Sequence, residues 1–492
     1  MITMDTIAAH LEELMPDGKI NTEQGELEAA SYSNPLQFPA RPPLCILKPA
    51  DPGELQQVIA FANEAELNLT VTSSSGVHRN GGASNRKEHL LIDLSSWQGI
   101  DLVDRRNRVC RIQPGVTYGQ LLTELKEHNM TLPIPLSPRS GKSVLASVMD
   151  REPSTWPNKQ WDSSDPVGST EFIFGNGEVF RSGAGGGPGT LEQQRNSGGA
   201  QKFSSGPSQT DFHRVVQGAQ GTMGVINWIT LRTELKPSIQ ETLVVGSENL
   251  EDLLPYVYDV QRRMLGEHTF IVNRTAAAML MSGQDQNLFF NLWGESPEFL
   301  LLQNIGGFER LSQERLAYHS KEIHGFARKH GLQLVEKVGG VSAPNLLEKA
   351  THPCGDIDWR DGLHGKSLSI FFLSTLDRMP AFQRNLLDLA KDLSIPAIDV
   401  GIYIQPVVQN HACQIEFILP FNPQSEGETR RMKKTERKIV AMLIKAGAFF
   451  SRPYGSAADL VWEQNPANYE LLKQIKNIFD PKRVLQQGKW GL

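Results

Sequence analysis

The stretch VTSSSGVHRNGGA, residues 71–83, follows an alternating strand-like run and precedes a second one, HLLIDLSSW at 89–97. Gly and Ser in such a connection expose backbone N–H groups and small hydroxyls, the donors an anionic pyrophosphate needs. Upstream, LCILKPADPGELQQVIAFANEAELNLTVTS (44–73) reads as strand, Asp-Pro-Gly break, helix and strand, with Leu55, Val58, Ile59 and Ala62 at helical spacing. The loop therefore closes a β-α-β unit. Downstream, RNRVCRIQPGVTYGQLLTELKEHNMTL (106–132) adds a strand, a Pro-Gly turn and a helix with Tyr118, Leu121, Leu122 and Leu125 on one face.

Two further segments share the chemistry of the first loop, at 137–150 and 217–224. Between them STEFIFGNGEVFRSG (169–183) predicts a hairpin turning at Asn176-Gly177, so the Gly-rich chain on either side returns to folded structure. The Walker pattern is absent, since SGKS at 140–143 lacks its upstream glycine, and the first loop contains no G-x-G-x-x-G. Neither a P-loop nor a Rossmann reading has its main support.

At 492 residues the chain exceeds one ordinary core, and its formal net charge of -6 offers no wide basic field for nucleic acid. Cys45, Cys110, Cys354 and Cys413 lie far apart, with no C-x-x-C pair. They are expected to be reduced thiols of a cytoplasmic protein rather than a zinc, iron–sulfur or disulfide framework. No apolar run approaches a membrane span, so a direct membrane segment is not expected.

Several segments together resemble the FAD-linked oxidases and dehydrogenases with a p-cresol methylhydroxylase/vanillyl-alcohol oxidase type FAD-binding domain. LKPADPGELQQVIAFANE is similar to the family's opening strand and helix, and VTSSSGVHRNGGA to its first pyrophosphate loop. SVLASVMDRE (143–152) is similar to the second loop, GAQGTMGVI (218–226) to the segment reaching the isoalloxazine, and IFDPKRVLQQGKWG (478–491) to the closing signature. The resemblance implies an α+β fold: a two-part FAD domain over 40–236 with 451–492 returning to it, an α+β cap domain over 237–450, and an N-terminal helix and lead-in over 1–39. It implies cofactor contacts from Ser73, Ser74, Ser75, Gly76, Val77, His78, Gly82, Ser143, Ser147, Asp150, Gly221, Gly224, Val225 and Lys489. His78 has the placement of a covalent flavin link; a noncovalent flavin contact and a merely solvated loop histidine are the other readings. The family's acidic residue near flavin N5 has no evident match in PLSPRSG (135–141), just before the second loop.

In the cap domain, DVGIYIQPVVQNHACQIEFILPF (399–421) alternates as paired strands, bringing Tyr403, Gln405, His411, Gln414 and Glu416 together if the turn falls at 408–410. His411 suits proton transfer near neutral pH. FFSRPYGSAADLVW (449–462) contributes Arg452, whose forked donors suit an anion, and Tyr454; the resemblance implies that this pair binds the substrate oxygen. CGDIDWRDGLHGKS (354–367) adds Trp359, Arg360 and His364, a second cluster expected to line the same pocket; a divalent metal held by His411 and His364 is the lesser alternative, since two histidines lack a spaced third ligand, and no metal is expected. The expected activity is hydride transfer from a small alcohol, aromatic or alkyl, to flavin N5, with electrons handed to oxygen or a separate acceptor protein. A 2-hydroxy-acid dehydrogenase is the alternative, and a flavin-binding electron-transfer or scaffold subunit the reading from another class. A homo- or hetero-oligomer is compatible with each.

Overall fold

The computed structural model describes residues 4–31, 36, 41–76, 86, 88–187, 189–196 and 212–491. The β-α-β unit forms as read. Asp51 caps the helix Pro52–Ala65 by accepting from the N–H groups of Gly53 and Glu54 at 2.7 and 3.0 Å, and Glu66 ends it in the left-handed conformation. Leu55, Val58, Ile59 and Ala62 are fully buried, each large side chain stabilising the fold by roughly 1.5–3 kcal/mol. They pack in one cluster with strands Cys45–Lys48, Leu69–Thr72 and Leu90–Asp93. These strands are parallel, with Leu90–Asp93 between the other two. The lead-in contributes structure of its own: Lys19–Asn21 pairs antiparallel with Cys45–Lys48 at the sheet edge.

A second, five-stranded antiparallel sheet holds the hairpin Val167–Ile173/Val179–Arg181 beside Val225–Arg232 and Val109–Ile112. The chain end closes the first sheet, where Leu69 N donates to Val484 O at 2.7 Å and Gln486 N to Leu69 O at 2.8 Å. Gln486 and Lys489 are thereby carried to the loop that follows Leu69–Thr72.

Residues 239–450 build a six-stranded antiparallel sheet in the order Ile239–Ser247, Phe299–Gly307, Thr269–Asn273, Gly401–Val407, Ala412–Phe421, Lys366–Ser374. Alternate residues enter different cores: Val245, Ile271 and Leu301 one, Val244, Phe270 and Leu300 the other. Both faces are thus covered by helices, which is why these strands read as continuous apolar runs.

Within this domain Glu267 is 2% exposed; its Oε1 accepts from Arg315 Nη2 at 3.3 Å and its Oε2 has no partner among the described residues. Burial pushes its carboxyl from the ordinary 4.5 up to about 7, against the opposing pull of Arg315. Between those values the native state holds a proton that the unfolded chain has released. The stabilisation is complete below the unfolded value and is lost as pH rises through about 7. We therefore expect Glu267→Gln to remove a decline in stability of about 3 kcal/mol between pH 5 and pH 8, measured by denaturant unfolding of both proteins at each pH.

Cys45, Cys110 and Cys413 are buried and unpaired, and burial pushes the thiols of Cys45 and Cys110 up to about 12. They pack as small apolar groups. Among the described residues no helix is long and apolar enough to cross a membrane, and no cluster of His, Cys, Asp and Glu has the makings of a metal site.

Candidate functional site

A cavity runs between the two domains, and all three Gly/Ser loops reach it. In the first, Ser73 and Ser74 line the wall, and Ser74 Oγ accepts from Ser143 N at 3.0 Å. Ser75 is clasped to the second loop: its N and Oγ donate to Gly141 O at 3.0 and 3.2 Å, while its carbonyl accepts from Arg139 Nη2 at 3.1 Å. Gly76 follows with φ of 74°, a conformation that favours glycine. Val77, His78 and Gly82 lie outside the described residues.

In the second loop Ser143 and Ser147 stand behind the wall rather than on it. Ser143 Oγ donates to Pro114 O at 2.6 Å and caps the helix Val144–Met149 through Ala146 N at 3.0 Å. Ser147 Oγ accepts from Tyr118 OH at 2.8 Å and donates to Glu152 Oε2 at 2.6 Å. Lys142 pairs with the other Glu152 oxygen. Burial alone would raise Glu152, but Lys142 and Ser147 outweigh it and hold the carboxyl below its usual value. Both serines are fully buried, so their hydroxyls hold the loop in shape and the cavity is faced instead by Leu145, Ala146, Met149, Asp150 and Glu152.

Gly221, Gly224 and Val225 line the third side with Gln486 and Lys489 from the chain end. Gly221 has φ of 77°, and a Cβ there would stand 3.2 Å from Gln486 Cγ; a Cβ on Gly224 would be 3.1 Å from Ile173 O. Burial lowers the Lys489 ammonium to about 8, with Asp150 opposing the shift.

Facing these loops is a set of residues from five separate segments. Tyr454 OH donates to Asp150 Oδ1 at 2.6 Å, and Arg452 Nη1 donates to Asp150 O at 2.5 Å with Oδ2 at 3.5 Å. Arg452 Nη2 donates to Gln414 Oε1 at 3.0 Å, and its guanidinium lies 4.4 Å from the Phe371 ring centre. Arg452 Nε is buried with no acceptor among the described residues. Burial raises Asp150 above the usual carboxylate range despite Arg452, and burial beside Asp150 raises Tyr454 well above the usual phenol value. Deeper in the cap, Arg360 makes a bidentate pair with Glu416, Nε to Oε1 at 2.7 Å and Nη2 to Oε2 at 2.8 Å, and its Nη1 reaches Asp358 at 3.3 Å. Ser369 Oγ also donates to Glu416. Burial pulls Arg360 down, but the two carboxylates reverse this and raise it.

The predicted strand pair exists, with Tyr403 opposite Glu416 and Gln405 opposite Gln414. Tyr403, Gln414 and Glu416 reach the cavity. Gln405 is fully buried and accepts from Tyr403 OH at 2.7 Å. His411 does not join them: it follows three left-handed residues at the hairpin turn, is exposed, and is absent from the cavity lining. The turn falls where the sequence placed it, and for that reason its histidine is carried to the far end of the strands. His364 is likewise exposed, 3.3 Å from Asp399.

Two acid-base pairings were not visible in the sequence. Asp150, expected only as a cofactor contact, stands at the end of the second loop and is bonded to Tyr454 and Arg452. Arg360 and Glu416 are 56 positions apart, and no local pattern links them.

The chemistry of the walls suits FAD. Serine and glycine loops leave room for a pyrophosphate. Gln220 and Gln486 line the cavity, and the buried amide oxygen of each has no donor among the described residues; the edge of an isoalloxazine carries N–H. Ser73, Ser74, Arg139, Gly221, Gly224, Gln486 and Lys489 would hold it.

Residues 43–183 match the model of a family described as an FAD binding domain. The D-lactate dehydrogenase of Archaeoglobus fulgidus is 21% identical over 477 residues, covering 94% of this chain and 97% of that protein. The glycolate oxidase subunit GlcD of Bacillus subtilis is 20% identical over 507 aligned positions, covering 99% and 97%. The crystal structure of p-cresol methylhydroxylase with substrate bound superposes with a TM-score of 0.82 at 16% identity, covering 99% of this chain and 96% of that one.

Proposed function

From the premise that the chain is an FAD-linked oxidoreductase with a p-cresol methylhydroxylase type FAD-binding domain, we propose that its substrate is a small uncharged alcohol, aromatic or alkyl. FAD, when bound, accepts the two electrons released as a carbon bearing oxygen is oxidised. The chain's own residues seat the substrate oxygen and move its proton. Tyr454 holds that oxygen, and Asp150, already the acceptor of the Tyr454 hydroxyl at 2.6 Å, takes the proton through it. Arg452 sets the charge balance of Asp150. The base role expected of His411 thus passes to Asp150.

The observation that carries the uncharged-alcohol reading is the state of the two cap-side arginines. A carboxylate is gripped best by two donors in a fork. Arg360 already spends its fork on Glu416, and Arg452 spends Nη1 and Nη2 on Asp150 and Gln414. Between its polar groups the cap-side wall also presents Leu368, Ile370, Phe371, Val440 and Phe450, which favour an apolar body.

The second reading, oxidation of a 2-hydroxy acid, is favoured by the full-length similarity to D-lactate dehydrogenase and to the glycolate oxidase subunit. Anaerobic titration of the FAD-loaded protein separates the two. A benzylic alcohol is expected to bleach the flavin absorbance at least tenfold faster than D-lactate or glycolate at equal concentration. Bleaching by the hydroxy acids alone would transfer the assignment to the second reading. Bleaching by neither class would leave a flavoprotein without this chemistry.

A further inference from the structure

We propose that the outward face of helix Glu426–Lys445 is a docking surface for an acidic electron-carrier protein that reoxidises the flavin. This rests on the FAD-linked oxidoreductase assignment and is independent of the substrate class.

The helix has two unlike faces. Met432, Thr435, Glu436, Ile439, Val440 and Leu443 are buried, and Glu436 and Val440 among them line the cavity. Outward stand Arg430, Arg431, Lys433, Lys434, Arg437 and Lys438, all exposed, with Lys445 further along. None of these takes part in an ion pair among the described residues. A merely solvated helix face usually mixes signs, with Glu and Lys at i,i+4. Here Arg430/Lys434, Lys433/Arg437 and Lys434/Lys438 set like charges four apart, an arrangement that weakens an isolated helix. The stripe also opposes the sign of the whole chain, whose net charge is -6. A local field of this kind steers an acidic partner to one orientation.

Two features select a protein rather than a lipid surface. A helix that lies in a membrane interface needs its apolar face outward, whereas this one has buried that face in the domain core. Just past the helix, Phe449 is an exposed large apolar side chain. The placement suits electron transfer as well, because stripe and cavity lie on opposite sides of one helix, about 10 Å apart. Reduced FAD gives up two electrons and two protons on returning to the oxidised form. Two one-electron carriers would each take one electron, and the protons would pass to water.

The test uses FAD-loaded protein photoreduced under anaerobic conditions, so that no substrate is needed. It is mixed with cytochrome c whose lysines have been succinylated, an acidic carrier, and with native basic cytochrome c. The acidic form is expected to be reduced at least about tenfold faster at low ionic strength, the advantage falling steeply with salt. The quadruple variant Lys433→Glu, Lys434→Glu, Arg437→Glu, Lys438→Glu is expected to lose that advantage, while reoxidation by benzoquinone, a small neutral acceptor, stays within about twofold. Calorimetric binding of the succinylated cytochrome should be lost in parallel. If the reversed charges impair folding, the same four positions changed to Gln, with the salt dependence of the unmodified protein, decide the matter. Equal rates with the two cytochromes, or binding unaffected by the variants, would overturn the proposal. Capture by phosphatidylserine vesicles without binding of the acidic cytochrome would overturn it in favour of a membrane. Low-salt self-association abolished by the variants would overturn it in favour of a second copy, whose residues 1–66 carry eleven acidic against three basic side chains. Failure to oxidise any alcohol leaves the proposal standing, since light supplies the electrons.

Discussion

Tyr454→Phe is expected to lower the rate of flavin reduction by an alcohol substrate by about 100-fold or more, with FAD content and thermal stability nearly unchanged. The substitution deletes one oxygen. The ring keeps its edge contact with Phe371, whose centroid is 6.1 Å away, and the backbone that places it is untouched. What disappears is the hydroxyl donating to Asp150 at 2.6 Å and with it the path of the substrate proton. Asp150→Asn should be as severe, because an amide cannot take a proton at any accessible pH. The pH profile separates a proton-transfer role from a loss of shape. Burial holds Asp150 above the usual carboxylate range, so the rate should rise with pH as this carboxyl ionises, with a midpoint higher than that of an exposed aspartate. Anaerobic stopped-flow measurement across pH reads both quantities. A decrease below threefold in Tyr454→Phe, or a profile unaltered in Asp150→Asn, would remove these residues from the proton path.

Asp480→Ala is expected to destabilise the FAD-binding domain by about 3–5 kcal/mol, the usual cost of breaking a buried ion pair from one side. Asp480 is fully buried. Its two oxygens accept from Val484 N and Leu485 N at 2.9 Å each and from Lys476 Nζ at 2.5 Å. Lys476 Nζ also donates to Thr222 O at 2.5 Å and Leu485 O at 3.1 Å. This cluster joins the terminal helix, the chain end and the turn before Gly224, and a Cβ on Gly175 would come within 2.4 Å of Asp480 Cγ. Removing the carboxylate strands a buried ammonium and two backbone donors. It also loosens the segment that carries Gln486 and Lys489 to the cavity, so FAD should be lost on gel filtration. Denaturant unfolding gives the energy, and the flavin-to-protein absorbance ratio gives the consequence for the cofactor. In the double variant Lys476→Met, Asp480→Asn much of the stability should return, because no isolated charge remains.

The local elements were legible in the sequence because their causes are local. The helix Pro52–Ala65 follows from an Asp cap, a Pro in the first turn and apolar residues at helical spacing. The hairpin at Asn176-Gly177 follows from its turn dipeptide between alternating runs, and the strands 401–421 from their alternation and break. His411 shows the limit of such reasoning. It lay near Glu416 along the chain and had suitable chemistry, yet a turn residue sits at the end of its strands and Glu416 sits midway along.

The serine and glycine loops, by themselves, determined only that an anionic group could be held between strands and helices, since glycine conformation, capping and strand alternation act over a few residues; that the group is FAD came from the resemblance of the ordered segments to a known family. Which charges meet in the cavity was decided only in the tertiary structure, within each domain and between the two. Arg360 finds Glu416, Arg452 and Tyr454 converge on Asp150 from some 300 positions away, and Ser143 and Ser147 turn inward to hold the loop rather than outward to the ligand. Pairing of buried charges depends on which remote surfaces are desolvated together, and that quantity exists only in the folded chain.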